Sequence, residues 1–275
     1  MLAAPLLLAL AAWSAAAGRG ETAWVRLDAG LELGTFASPL TSEAGDSLIR
    51  IVRVDPRHYS LRLLNASAKN PGEPLTARDW CARHGLVAAI NASMYQEDHR
   101  TSVSLMKTGT HANNLRLSKD MAVLGFDRRD PGVPEVQIID RECQDLEKVG
   151  KRYGTLIQSI RMVSCRGRNV WRPQPKRASI AAVGTDGEGR VLFIHCRSPF
   201  PTHDFITALL ELPIDLDRAM YVEGGPEAQV YVRAEGREFE FVGSHETGFL
   251  PDDDNPRAWP VPNVIGVVRR GRPLR

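Results

Sequence analysis

A chain of 275 residues with 43% hydrophobic and 25% charged side chains can bury a substantial core, as one large domain or two small ones. Its 35 basic and 33 acidic residues leave a formal net charge of +2 without any dense Lys/Arg run, which excludes nucleic acid as the expected partner. No internal repeat or low-complexity linker divides the chain, so one domain is the economical reading.

From the N-terminus, Leu2 to Ala17 is apolar or small throughout, carries no charge and ends in an Ala-x-Ala pattern at Ala15 and Ala17. Residues 1–17 therefore read as a secretory signal peptide, too short for a stable membrane span, and predict a secreted or periplasmic protein. A lead-in follows over 18–45, and the folded domain is expected over 46–270. Strand-like runs then succeed one another: 47–55, 59–66, 86–95, 121–127, 136–140, 178–186, 190–196, 218–223, 228–234 and 263–270. Asp186-Gly187 marks a hairpin, and Asp55-Pro56-Arg57-His58 a looser one.

Two helices are well signposted. Thr76 caps the first, with Asp79 three residues on and Gly85 at the left-handed C-terminal position. Thr202 caps the second, Phe205, Ile206, Leu209 and Leu210 form its apolar face, and Pro213 stops it. A third is expected within 144–154. Hairpins interspersed with a few packing helices predict an α+β fold with a mixed or antiparallel sheet.

Cys81, Cys143, Cys165 and Cys196 match no zinc spacing, so no metal site is expected and disulfides or buried thiols remain. Cys143 and Cys165, which flank a segment of moderate length, are the pair to expect if a disulfide forms; the pairing is otherwise open.

The stretch AMYVEGGPEAQVYV, Ala219 to Val232, sets Glu223, Gly224, Gly225 and Glu227 between two strands. A carboxylate beside glycines, where no Cβ holds another molecule off, suits a polar ligand, and two acids on one rim are the minimum equipment for acid and base work at a sugar. The alternative is a tight turn with two solvated acids. AAINASMY repeats the design, driving an apolar strand into Asn91 with Tyr95 beyond it. Arg177 stands just before a strand, placed to offer a planar fork of donors to phosphate or carboxylate, or simply to sit on the surface. Asn65-Ala66-Ser67 and Asn91-Ala92-Ser93 both fit a glycosylation acceptor, but the second ends a strand that reads as buried.

In this order the pieces resemble the phosphodiester glycosidase family, whose members include a lysosomal N-acetylglucosaminidase and bacterial exopolysaccharide-related proteins. The resemblance runs from about Asp46 to Val267. The family's strand ending A-I-N-G-G-F-F is similar to AAINASMY, its P-R-T-A-I-G to KRASIAAVG, its L-D-G-G-G-S-S to the stretch around VEGGPEA, and its V-P-N-A-I-G-V to VPNVIGVV from Val261. What this implies is a hydrolase cleaving a sugar 1-phosphodiester or related glycosidic bond, without a cofactor. Carried over, Glu223 becomes the leading acid or nucleophile, Arg177 holds the phosphate, and Asn91 hydrogen-bonds a sugar hydroxyl or N-acetyl group. Glu227 is the candidate partner carboxylate, where the family has hydroxyls. Gly224, Gly225, Tyr95, His203, Arg161 and Arg197 are expected around the substrate. The family's aspartate is Glu223 here, and its Gly-Gly after the asparagine is Ala92-Ser93. These departures suit a divergent branch with a different substrate, and the competing class is a carbohydrate-binding or exopolysaccharide-associated protein that has lost the chemistry.

Three features read as structural. Asp252 to Asn255 lacks the spaced ligands of a calcium loop. His245-Glu246 has no second histidine at helical spacing. Trp80, Trp171 and Trp259 read as core or rim packing.

Overall fold

The computed structural model describes residues 24–68 and 72–271, so the predicted signal peptide lies outside the described residues. The elements are β1 (Trp24–Asp28), β2 (Leu31–Ala37), β3 (Leu48–Val54), β4 (Tyr59–Asn65), α1 (Ala77–His84), β5 (Ala88–Asn91), β6 (Met106–Lys107), β7 (Ala112–Asn114), β8 (Ala122–Arg128), β9 (Gln137–Asp140), α2 (Leu146–Gly150), β10 (Tyr153–Val163), β11 (Arg177–Asp186), β12 (Val191–Pro201), α3 (Thr202–Glu211), β13 (Leu216–Gly224), β14 (Gln229–Ala234), β15 (Arg237–Val242) and β16 (Asn263–Arg269). The strands form two sheets. One has 11 strands, ordered β1-β2-β3-β12-β11-β13-β10-β6-β7, with β8 beside β10 and β9 beside β8; the other has five, ordered β15-β14-β5-β16-β4. All pairings among these strands are antiparallel.

Strand alternation sorts the side chains into layers. Met220 and Val222 of β13 join Val52, Ala181 and Val183 of the large sheet against Ile90, Val230 and Ile265 of the small one. The other face of the large sheet carries Ile180, Ala182, Ile194 and Ala219, and there α3 lays down Phe205, Ile206 and Leu209. On the outer face of the small sheet, α1 packs Trp80 and Cys81 against Ala89, Tyr231 and Val264. Central strands are thus covered on both faces, which is why they read as unbroken apolar runs.

This architecture is mainly β, and it corrects the α+β expectation. The helices are few and peripheral, whereas β1, β2, β6, β7, β10 and β15 add strands that periodicity does not mark; in β10, Thr155, Gln158, Ser159 and Arg161 interrupt the apolar run. Their sequences explain the omission: β6 and β7 have two and three residues, and β15, REFEFV, alternates charge and aromatic on a half-exposed edge. Asp186-Gly187 does join the hairpin β11–β12, with Asp186 N–H donating to Arg190 O at 3.1 Å. The looser turn after Asp55 does not make a hairpin, because β3 lies in the large sheet and β4 in the small one, so the chain crosses between layers there.

Helix ends follow local chemistry. Thr76 Oγ1 accepts from Asp79 N–H at 3.1 Å, and Gly85, at φ 65°, closes α1 in the left-handed region. For α3 the expected Thr202 cap is corrected: Pro201 occupies the cap position and makes no side-chain bond, so the helix begins at Thr202. Cys143 and Cys165 form a disulfide across 22 residues, while Cys81 and Cys196 are buried free thiols.

Candidate active site

The site is built where β13 ends. Along the β11–β13 ladder, Ala182 faces Tyr221 but the next residue, Ala181, faces Glu223, so two residues of β13 stand opposite one. Such a bulge kinks a strand and re-aims its side chains. It falls at Val222-Glu223, one residue before the glycines.

Each glycine has a separate steric reason. A Cβ on Gly224 would collide with the Tyr221 hydroxyl, and one on Gly225 would come within 2.5 Å of Glu246 Oε2. Gly225 also sits at φ 63°, in the left-handed region. Pro226 then starts a single 3-10 turn, Gly225–Glu227, that leads into β14. An ordinary turn needs none of this; the glycines let a tyrosine and a third acid approach the Glu223 backbone.

Three carboxylates gather here: Glu223 from β13, Glu227 from the 3-10 turn and Glu246 from the loop after β15. Burial above all, then the neighbouring Glu227 and further off Glu246, push the Glu223 carboxyl up to about 8, against one opposing bond from Gly224 N–H at 3.1 Å. Burial and Glu246 likewise raise Glu227. The Tyr95 hydroxyl lies 3.5 Å from Glu227 Oε1, and its ring stands 5.4 Å from that of His99. Burial first, then the surrounding glutamates, raise Tyr95 and Tyr221, so both phenols remain neutral donors. Around neutral pH, Glu223 holds its proton in a setting made by charge and burial together.

Of the other predicted residues, Asn91 and Arg197 bond to this loop, whereas Arg161 and His203 bond elsewhere. Asn91, buried at the end of β5, donates from Nδ2 to Glu227 O at 2.9 Å and accepts at Oδ1 from Gln229 N–H at 2.9 Å. Both functions of its amide are spent holding the turn, so it positions Glu227 instead of reaching for a sugar. Arg197 points its guanidinium at the loop that carries Glu246, donating to the carbonyls of Val242, Asp253 and Asn255 at 3.0–3.2 Å and pairing with Asp253. Arg161 is committed elsewhere, to Asp140 at 2.6 Å and Glu142 at 2.7 Å, next to the disulfide. His203, in the first turn of α3, turns to Asp204 at 3.0 Å.

Arg177 opens β11 three residues before Ile180, the partner of Gly224. Its side chain pairs with Glu43, and its backbone is tied to Thr247 by bonds in both directions. Lys176 beside it pairs with Glu246. The two cations at the start of β11, Lys176 and Arg177, therefore already have carboxylate partners.

Sequence reasoning missed four supporting residues. Glu246 had been set aside with His245; only the bridge between Ala178 and Glu246 brings it to the strand ends. Tyr221 was read as part of an apolar strand. Buried Gln229 donates to Glu227 O and Trp259 O and accepts from Ala77 N–H at the start of α1. Buried His195 sits 3.2 Å from Ala228 O, with burial pulling its pKa down to about 3, so a neutral imidazole supports the loop from behind. One glutamine and one histidine among several carry no sequence signal for such roles. As for metals, Asp140, Cys143 and Cys165 lie close together, but the sulfurs are consumed by the disulfide. A cleft of about 750 Å³ at the other end of the small sheet is ringed by Arg233, Arg269 and Arg270, each bonded to a carbonyl or a carboxylate, and shares nothing with the acid cluster.

The fold and the paired carboxylates define a two-sheet β protein with the equipment of a glycosidic hydrolase. The chain belongs to the phosphodiester glycosidase family, whose sequence model matches residues 84–268. Among solved structures it is similar to the catalytic domain of zebrafish N-acetylglucosamine-1-phosphodiester alpha-N-acetylglucosaminidase, auto-inhibited by its pro-peptide, with TM-score 0.61 and 16% identity over 91% of this chain and 88% of that one. It is also similar to a hypothetical protein from Synechocystis, with TM-score 0.61 and 13% identity over 92% of this chain and 65% of that one. At these identities the likeness is one of fold. A comparison with curated protein sequences finds no match.

Proposed function

We propose that this chain hydrolyses a sugar 1-phosphodiester or a related glycosidic bond, with Glu223 as general acid and Glu227 as the partner carboxylate. The observation that carries the reading is the strand-end bulge that sets Glu223, its pKa raised by burial and by Glu227, beside Glu227, with glycines admitting Tyr221 and Glu246. Glu223 gives its proton to the leaving oxygen as the bond to the sugar breaks; Glu227 is placed to take a proton from water or to face the developing positive charge on the ring. Arg177 receives the phosphate, whose charge it offsets, so less proton donation is needed on a phosphodiester than on an ordinary glycoside. Asn91, Gln229 and Arg197 hold these groups in place.

The disulfide supports placing the protein in an oxidising compartment, in keeping with export by a cleaved N-terminal segment. The family membership supports a sugar-containing substrate.

The test is sugar release by the chain beginning at Gly18 from a panel of sugar 1-phosphodiesters and nucleotide sugars, run beside Glu223→Gln. Release that vanishes in a folded Glu223→Gln supports the reading. Sugars bound but never released would favour the carbohydrate-binding alternative, and release unaffected by the substitution would refute the role of Glu223.

A further inference from the structure

The pairing of Arg177 points beyond the catalytic acids. Its partner Glu43 comes from the segment between β2 and β3, far away in sequence, and that segment is fastened across the end of β12. Ser42 Oγ donates to Pro199 O at 2.7 Å, Ser47 N–H donates to Ser198 Oγ at 2.8 Å, and Gly45 packs on Ser198 so closely that a Cβ would meet its Oγ at 2.5 Å. Anchored on both sides, the segment delivers Glu43 to Arg177. The pair is nonetheless open to water: the Glu43 side chain is 74% exposed and that of Arg177 is 37% exposed. The hydrogen bond and charge of Arg177 hold Glu43 below the usual carboxylate range.

We infer that Glu43 is a specificity-determining residue: an intramolecular carboxylate that competes with the anionic group of the substrate for Arg177. The reasoning rests on the proposed function above and concerns its anion subsite. Guanidinium binds carboxylate and phosphate by the same planar fork, so one excludes the other. An exposed ion pair is weak, so a phosphate ester can displace Glu43. The exchange taxes every anionic ligand equally and leaves neutral ones untouched. Lys176, next to Arg177, is likewise paired, to Glu246 of the acid cluster. Anionic ligands therefore bind this chain less tightly, relative to neutral ones, than an unpaired Arg177 would allow.

The experiment is equilibrium binding of glucose 1-phosphate and of inorganic phosphate to the chain beginning at Gly18, by titration calorimetry, for the unsubstituted protein, Glu43→Gln, Arg177→Gln and the double variant. Freeing Arg177 in Glu43→Gln should tighten both anions about two- to fivefold, the range an exposed ion pair commands. Arg177→Gln should weaken both, and Glu43→Gln should add nothing in the Arg177→Gln background. The gain from Glu43→Gln should shrink at high salt. Unchanged anion affinity in Glu43→Gln, or a gain that persists without Arg177, overturns the inference. Binding needs no turnover, so these outcomes are independent of the sugar-release panel: absence of release with the Glu43 effect intact sinks the hydrolase reading alone.

Discussion

Glu223→Gln replaces a carboxyl whose pKa in the fold, about 8, stands above its ordinary 4.5. Between those two values the unfolded chain has already lost the proton that the folded chain keeps, so raising the pH favours unfolding. Stability from this group is complete below pH 4.5 and is lost as the pH climbs through 8. Each pH unit is worth about 1.4 kcal/mol, or ~5 kcal/mol across the interval. Glu223 keeps partial solvent contact, and screening lowers the expected change to ~2–3 kcal/mol. Glutamine preserves the shape and carries no charge at any pH, so the variant escapes this loss. The assay is urea unfolding of both proteins from about pH 5 to about pH 9, read as the difference between their stabilities. Taking the difference removes groups common to both, notably His195, whose lowered pKa works in the opposite direction by costing stability as pH falls below 6.5. The variant should gain on the parent by ~2–3 kcal/mol toward alkaline pH. A difference that stays flat would refute the claim that the fold buries Glu223 as an acid.

Further outcomes follow from the same geometry. Glu227→Gln removes a charge that helps keep Glu223 protonated, so the alkaline loss of stability traced to Glu223 should set in at lower pH by up to about one unit, read in the same urea titrations. Gly224→Ala drives a methyl into the Tyr221 hydroxyl and should cost ~1–3 kcal/mol; adding Tyr221→Phe should recover most of it, measured as a double-mutant cycle. Asn91→Ala strips partners from Glu227 O and Gln229 N–H, which should cost ~2–3 kcal/mol in urea titrations and lower kcat more than it raises KM. Reducing Cys143–Cys165, which closes 22 residues, should cost ~3 kcal/mol, seen as a lowered Tm in the presence of reductant.

Much of the framework was legible one element at a time. Long apolar runs such as ASIAAVGTD and NVIGVVRR announced central strands because burial on both faces keeps most of their middle positions apolar. Thr76, Asp79 and Gly85 announced α1, since caps are satisfied within a few residues. The fold class was misread because some of the missing strands are short or stand at edges, where each is defined by its neighbour, and because the long central β10 carries polar Thr155, Gln158, Ser159 and Arg161 within its run. Glu223 and Glu227 were legible as a pair because only Gly224, Gly225 and Pro226 separate them. Arg161 and Arg197 were not, because an arginine's reach lets the tertiary surroundings decide which carbonyl or carboxylate it meets.

By itself, then, the sequence determined the strands that burial compels, the helix caps, the strand-end acid with its glycines, and the order of motifs that marks the family; these rest on local chemistry and steric demand. Only the tertiary structure decided that two antiparallel sheets, not an α+β arrangement, carry the site. It alone brought Glu246 against Gly225, turned Asn91 into a clamp, and set Glu43 on Arg177 across 134 residues. Charge and packing act through space, and the separations that govern them are created only when the sheets close on each other.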